Sequence, residues 1–350
     1  MGRQGKNMPN SRFVNAVVGS PQQVPPVWFM RQAGRYHKHY QNMRLKHSFM
    51  ELCKKPELAA EVALGPIKDF DFDVAILFSD LLFPLEALGM GLEYGDKGPT
   101  LDWNLRPETL SKLLPLEDAL PSLQFQKEAM SLTRKALSPE KSLIGFVGGP
   151  WTLFTYAVQG RHDGSLIEAK KNMSIFSGFC EILLPLLIEN IKLQFEGGAE
   201  IVMLFDTAAG ELSPTIYWEE IVPQLKRLAL TFPQKLGYYS KGTQDSFFHD
   251  KIFKGGFFAG LGFDHRYDLT SHFKDATGFV QGNFDQALLF SELSDFKKHL
   301  EDYLTPFANM SPKARAGWVC GLGHGVLPQT PEDHVRRFVQ TVRERLDKRS

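Results

Sequence analysis

Apolar and polar positions run along this chain in two rhythms. Short apolar runs occupy residues 27–30, 74–78, 143–147, 201–205, 236–239, 257–261, 279–281 and 318–321. Between them lie stretches whose apolar residues recur at helical spacing, at 56–70, 124–136, 166–195, 214–230, 286–303 and 331–349. In the last of these, Thr330 is placed as N-cap, Pro331 in the first turn and Asp333 near the positive end of the helix dipole. Eight strand-like runs alternating with helices predict an α/β fold, a (β/α)8 TIM barrel. A doubly wound open sheet shares the same local pattern and is the alternative. No linker, repeat or compositional break divides the chain. The expectation is one domain over residues 1–350, with a short basic N-terminal extension of about residues 1–11.

A barrel carries its chemistry at the C-terminal ends of its strands. Polar residues gather at those points here. Arg31 follows "VWFM", Ser79 and Asp80 follow "VAILF", Asp206 and Thr207 follow "IVMLF", and "GLGHG" follows "WVC". Arg31 and Arg35 present planar donor forks suited to carboxylates, with Gly34 between them allowing close backbone approach. A guanidinium directly behind an apolar run implies an anion as partner, since burying it alone is costly. Two surface arginines beyond an edge strand are the plainer alternative. Asp80 is either a helix N-cap or a partly buried carboxylate able to steady positive charge. Asp206 and Thr207 either cap the next helix or face a ligand. Tyr156, one turn into the helix after "GFVGGP", is best placed there to reach a ligand. His324, between two glycines, suits hydrogen bonding or proton transfer.

Composition narrows the class. There are 40 basic and 40 acidic residues, yet the first acid is Glu51, after Arg3, Lys6, Arg12, Arg31, Arg35, Lys38, Arg44 and Lys46. The balanced total argues against a nucleic-acid-binding arm. Residues 38–46 read as a basic loop. No apolar run of bilayer length and no signal peptide is evident, and Lys6 stands where a myristoylation motif needs Ser or Thr. Cys53, Cys180 and Cys320 are widely spaced and odd in number, which fits a reducing, cytoplasmic setting. There is no His-x-x-x-His, Cys-x-x-Cys, dinucleotide fingerprint or serine elbow, and "GFVGGP" lacks the ending of a P-loop. No metal or cofactor site is expected.

Two motifs carry a resemblance. "PVWFMRQAGRY" and "GFVGGPWTLFTYAVQG" resemble the two signatures of the uroporphyrinogen decarboxylase family. "ILFSDLLFPLEALGMGLEY", "VQGNFD" and "GLGHGVLPQTPEDHV" continue in family order, from about Arg12 to the C-terminus. The resemblance implies a cofactor-free barrel, usually a cytoplasmic homodimer. It would convert the four acetate side chains of uroporphyrinogen III to methyls, giving coproporphyrinogen III in haem biosynthesis. It also implies that Asp80 receives the pyrrole N–H groups and stabilises a cationic intermediate. Arg31, Gln32, Ala33, Gly34 and Arg35 would meet the substrate, with Arg31 a proton donor or carrier. Tyr156, Thr207 and His324 would orient it, Tyr156 being catalytic with Asp80 and Arg31.

The sequence departs from the family pattern in places. Thr207 stands for a serine, Ala208 for an aromatic or histidine, and Gly321 for an asparagine. Gly262 and Phe263 replace an Asp–Trp pair. A related methyltransferase is the nearest rival, but the His-x-Cys pair of its zinc set is missing. A tetrapyrrole-binding protein without turnover is the non-enzymatic alternative.

Overall fold

A computed structural model describes residues 12–95, 98–162 and 164–347. Its centre is a parallel sheet of seven strands: β1 (Val74–Ile76), β4 (Ser142–Gly148), β5 (Ile201–Asp206), β6 (Leu236–Ser240), β7 (Gly260–Gly262), β8 (Phe279–Phe284) and β9 (Trp318–Leu322). They pair strictly in chain order. The remaining two strands, β2 (Glu93–Gly95) and β3 (Gly98–Thr100), form a separate antiparallel hairpin.

The expected first strand closes the cylinder, but as an isolated bridge rather than a strand. Val27 pairs in parallel with Cys320 on β9. Trp28 N donates to the Cys320 carbonyl at 3.1 Å, and Cys320 N to the Pro26 carbonyl at 2.9 Å. On the other side Asp73 N donates to the Val27 carbonyl at 3.0 Å, next to β1. Two features stop a regular ladder here. Pro25 and Pro26 lack N–H donors. Side chains then take the remaining positions: Val27 N donates to Asp73 Oδ2 at 2.7 Å, and Gln32 Nε2 to the Val74 carbonyl at 2.8 Å. The fold is the expected single (β/α)8 barrel, with one stave held partly by side chains.

The helices at 56–70 and 124–136 form with the expected bounds, as Pro56–Phe70 and Gln124–Ala136. Others differ. The stretch 166–195 divides into Ile167–Lys171, a 3-10 turn at Met173–Ile175 and Phe176–Glu196. Residues Met173–Glu196 are long and apolar enough to cross a bilayer, which the sequence reading did not credit. Half of that apolar window is buried in the protein, with Asn190 and Gln194 among the buried residues of the helix. Residues 38–46 are not a loop: Lys38–Arg44 is a helix that buries Tyr40 and Met43. Thr330 does not cap the last helix, Glu332–Leu346; its hydroxyl donates to the Leu327 carbonyl at 2.8 Å. The N-terminal extension, residues 1–11, lies outside the described residues.

Candidate active site

The strand ends converge on one cavity of about 400 Å³, lined by Arg31, Leu81, Tyr156, His162, Gly164, Thr207, Glu211, Lys241 and His324. Four of the residues singled out in the sequence, Arg31, Tyr156, Thr207 and His324, therefore meet in space although they span almost three hundred positions. Among the described residues of the lining, the cations Arg31 and Lys241 stand with the carboxylate Glu211.

Arg31 is exposed rather than buried, so the burial argument for an anionic partner does not hold. Its position makes the case instead. Its backbone adopts φ 60°, in the left-handed region that costs a side-chain-bearing residue about 1–3 kcal/mol. The side chain lies across Gly325, where a β-carbon would fall 2.5 Å from Arg31 Cδ. Arg35 is also exposed and does not line this cavity. Gln32 is part of the barrel wall. It is 1 % exposed, accepts from Phe29 N at 3.4 Å and, through its amide, holds the Val74 carbonyl. Ala33 packs on the core, and Gly34 sits against the Arg31 carbonyl oxygen.

Asp80 is half-buried beside Leu81. Its Oδ1 accepts from Leu82 N at 2.8 Å, an Asx turn at the start of the short helix Phe83–Leu85. The Tyr94 hydroxyl on the β2–β3 hairpin also donates to it. Burial raises the carboxyl pKa, while the Tyr94 and Leu82 hydrogen bonds and the Arg31 charge oppose that rise. Asp80 is not the N-cap of that helix, a position Leu82 holds; its carboxylate closes the turn just before it. One oxygen serves the turn, and the carboxylate stays within the field of Arg31.

Tyr156 rides on the helix Pro150–Gln159, whose start is fixed by Asp206. Asp206 Oδ1 accepts from Thr152 N at 2.9 Å and Thr152 Oγ1 at 2.7 Å, and Tyr238 donates to Oδ2 at 3.4 Å. Thr152 Oγ1 also accepts from Ala208 N at 3.0 Å, tying that helix to the loop carrying Thr207. Thr207 Oγ1 lies 3.3 Å from His162 Nδ1.

His324 meets the Tyr239 hydroxyl through Nδ1 at 3.0 Å. Its pKa falls to about 3, first from burial and then from the charges of Arg31, Lys241, His162 and His265. The ring is therefore neutral at neutral pH. It can donate or accept a hydrogen bond but contributes no net charge.

The family model described as "Uroporphyrinogen decarboxylase (URO-D)" matches residues 8–345. The chain belongs to the uroporphyrinogen decarboxylase family. Among its relatives, a uroporphyrinogen decarboxylase of Myxococcus xanthus is 35% identical over 95% of this chain and 96% of that protein. One from Pelobacter propionicus is 33% identical over 95% and 98%. Among solved structures, a methyltransferase from Methanosarcina mazei superposes with TM-score 0.77 at 20% identity, covering 95% of this chain and 97% of the other. At that identity the likeness speaks for the barrel alone.

Sequence reasoning missed the polar lining residues His162, Glu211 and Lys241, and also Tyr94, which donates to Asp80 outside that lining. Lys241 directly follows β6, and the strand-end rule that drew attention to Arg31 would have found it. The departure at Gly321 has a steric cause. A β-carbon there would collide with the Trp28 carbonyl oxygen of the closing stave. Cys320 is wholly buried in the wall, and burial pushes its thiol pKa up, so it is not a nucleophile facing the cavity. Among the described residues, no three His, Cys, Asp or Glu side chains cluster as a metal site would require.

Proposed function

We propose that this cavity removes CO2 from the four acetate side chains of uroporphyrinogen III, giving coproporphyrinogen III, with Arg31, Asp80 and Tyr156 as its catalytic residues. The observation that carries this reading is the joining of opposite requirements at strand ends around one cavity. Fixed cations at Arg31 and Lys241 suit the carboxylates of the substrate, and a half-buried carboxylate at Asp80 suits a developing cation. Eight carboxylates on one small molecule repel each other, and the repulsion grows as water leaves. Each charge-assisted contact from an arginine or lysine contributes roughly 1.5–3 kcal/mol against it.

Losing CO2 leaves an electron pair that needs a sink. A pyrrole protonated at ring carbon supplies one. The bond to the carboxylate breaks, its electrons neutralise the cationic ring, and an exocyclic methylene results. Proton delivery to that methylene and loss of the ring proton give the methyl. The net change per acetate is uptake of one proton and release of one CO2. Asp80 stabilises the protonated ring and accepts from its N–H groups, an interaction stronger in the cationic state than in the neutral one. Arg31 holds carboxylates and places the acid, and the rest of its signature, Gln32, Ala33, Gly34 and Arg35, fixes its place at the cavity rim. Tyr156, Thr207 and His324 orient the ring system. The enzyme acts as a cytoplasmic homodimer, a state that sedimentation would check.

Purified protein without added cofactor is expected to convert uroporphyrinogen to coproporphyrinogen under anaerobic reducing conditions. Chromatography of the oxidised porphyrins would show intermediates with seven, six and five carboxylates. Binding of substrate by folded protein with no conversion would overturn the assignment and favour a tetrapyrrole carrier.

A further inference from the structure

We propose that Tyr239 is a positioning residue that holds His324 with its proton on Nδ1, so that Nε2 meets the cavity as a hydrogen-bond acceptor. This rests on the decarboxylase reading and assigns the imidazole a task within it. His324 takes an N–H or O–H donor, and the substrate carboxylates are left to Arg31 and Lys241.

Tyr239 lies near the end of β6, wholly buried, with its ring within 14° of parallel to the His324 ring. Its hydroxyl is 2.8 Å from the Gly323 carbonyl oxygen and 3.0 Å from His324 Nδ1. One phenolic proton cannot serve both acceptors, so two arrangements exist. If the hydroxyl donates to Nδ1, the Gly323 carbonyl loses it, and the pair holds one hydrogen bond. If it donates to the carbonyl, its oxygen accepts from Nδ1–H, and the pair holds two. Buried polar groups settle where most of them are satisfied. One neutral hydrogen bond favours the second arrangement by roughly fivefold to tenfold. The hydroxyl stays protonated, because burial raises its pKa. The imidazole stays neutral, as its own lowered pKa requires.

The surroundings are shaped for this contact. A β-carbon on Gly262 would fall 3.1 Å from Tyr239 Cδ2 and 2.7 Å from Gln281 Oε1. Gln281 Nε2 donates to the Leu322 carbonyl at 3.1 Å, steadying the strand that leads into His324. The glycine at 262 is thus the space into which Tyr239 and Gln281 pack.

The test is a long-range proton–nitrogen correlation spectrum of the full-length protein labelled with 15N-histidine, free of substrate. A His324→Gln variant identifies the signals. The expected wild-type pattern is a neutral ring protonated on Nδ1. In Tyr239→Phe it is expected to change to the Nε2–H form. An Nε2–H pattern in the wild type overturns the proposal, and this spectrum decides even if Tyr239→Phe does not fold. An unchanged pattern in a folded Tyr239→Phe overturns it also. In kinetics, Tyr239→Phe is expected to lower kcat/KM about tenfold. The double variant with His324→Gln should lose no more than His324→Gln alone; additive losses would overturn the proposal. Absence of all decarboxylation beside the Nδ1–H pattern would sink the proposed reaction and leave the tautomer assignment standing.

Discussion

Two aspartates in this molecule look nearly alike in sequence and are held in opposite ways. Asp80 follows "ILFS" and Asp206 follows "IVMLF", each at the end of an apolar run that leads to a barrel strand. Burial raises the pKa of both. The difference lies in their partners. Asp206 is 0 % exposed, and Thr152 and Tyr238 occupy its oxygens and pin the helix that carries Tyr156. Asp80 receives Leu82 N and Tyr94 and remains half-exposed beside the cavity, under the charge of Arg31. A carboxylate saturated by its own fold builds the site. One left with unused acceptor capacity can meet a ligand, as the proposed reaction requires.

The strongest way to break this contrast is to neutralise each aspartate in turn. Asp80→Asn keeps the shape and the turn-capping oxygen but removes the charge opposite the cationic ring. Turnover is expected to fall by roughly 10²–10³, the scale of one preorganised electrostatic contact, with little change in Tm. Near-normal turnover would remove Asp80 from the chemistry. Arg31→Lys is next. It keeps the charge and loses the planar fork, and kcat/KM is expected to fall about tenfold to a hundredfold. Steady-state assays would read both.

Asp206→Asn should act on stability instead. Its pKa of about 6 in the folded protein stands above the ordinary 3.8, so folding favours the protonated acid. That contribution is complete below about pH 4 and is lost as pH rises through about 6. At pH 8 the wild type holds a buried charge that the asparagine variant lacks. The variant is expected to be the more stable there by up to about 3 kcal/mol, with the gap closing towards pH 4. Denaturant midpoints across this range check the sign. A gap that widens on acidification would reverse the assignment.

Much of this contrast could be read from the chain, and the limits have physical causes. Strand-end polarity pointed to Arg31, Thr207 and His324, and helical spacing to Tyr156, and they share one cavity because barrel topology fixes which ends face together. That polarity did not separate Asp80 from Asp206, since what distinguishes them, Tyr94 and Arg31 against Thr152 and Tyr238, lies far along the chain. Tyr238 is 32 residues from Asp206, and its role depends on strand register. The role of Gln32 was hidden for a similar reason. Its place in the signature pointed to the substrate, whereas its amide completes a ladder that two prolines interrupt. The β2–β3 hairpin is only three residues a side and gave no alternating pattern long enough to notice. Tyr94 came with it, unseen.

That tyrosine gives the smallest and sharpest test. Its hydroxyl stabilises the ionised form of Asp80, so Tyr94→Phe removes a contact that holds the pKa down. Activity that needs Asp80 ionised falls as pH drops through that pKa, and the acid limb of kcat/KM should therefore move to higher pH in the variant. Only a few-fold loss is expected at the plateau, since Leu82 N still orients the carboxylate. Tyr238→Phe is the control at the other aspartate. It should leave the pH–rate profile in place while lowering Tm, because Tyr238 and its partner Tyr217 are buried in the core away from the cavity. Equal shifts of the acid limb in both variants would mean that the two aspartates are electrostatically one unit, and the distinction drawn between them would fail.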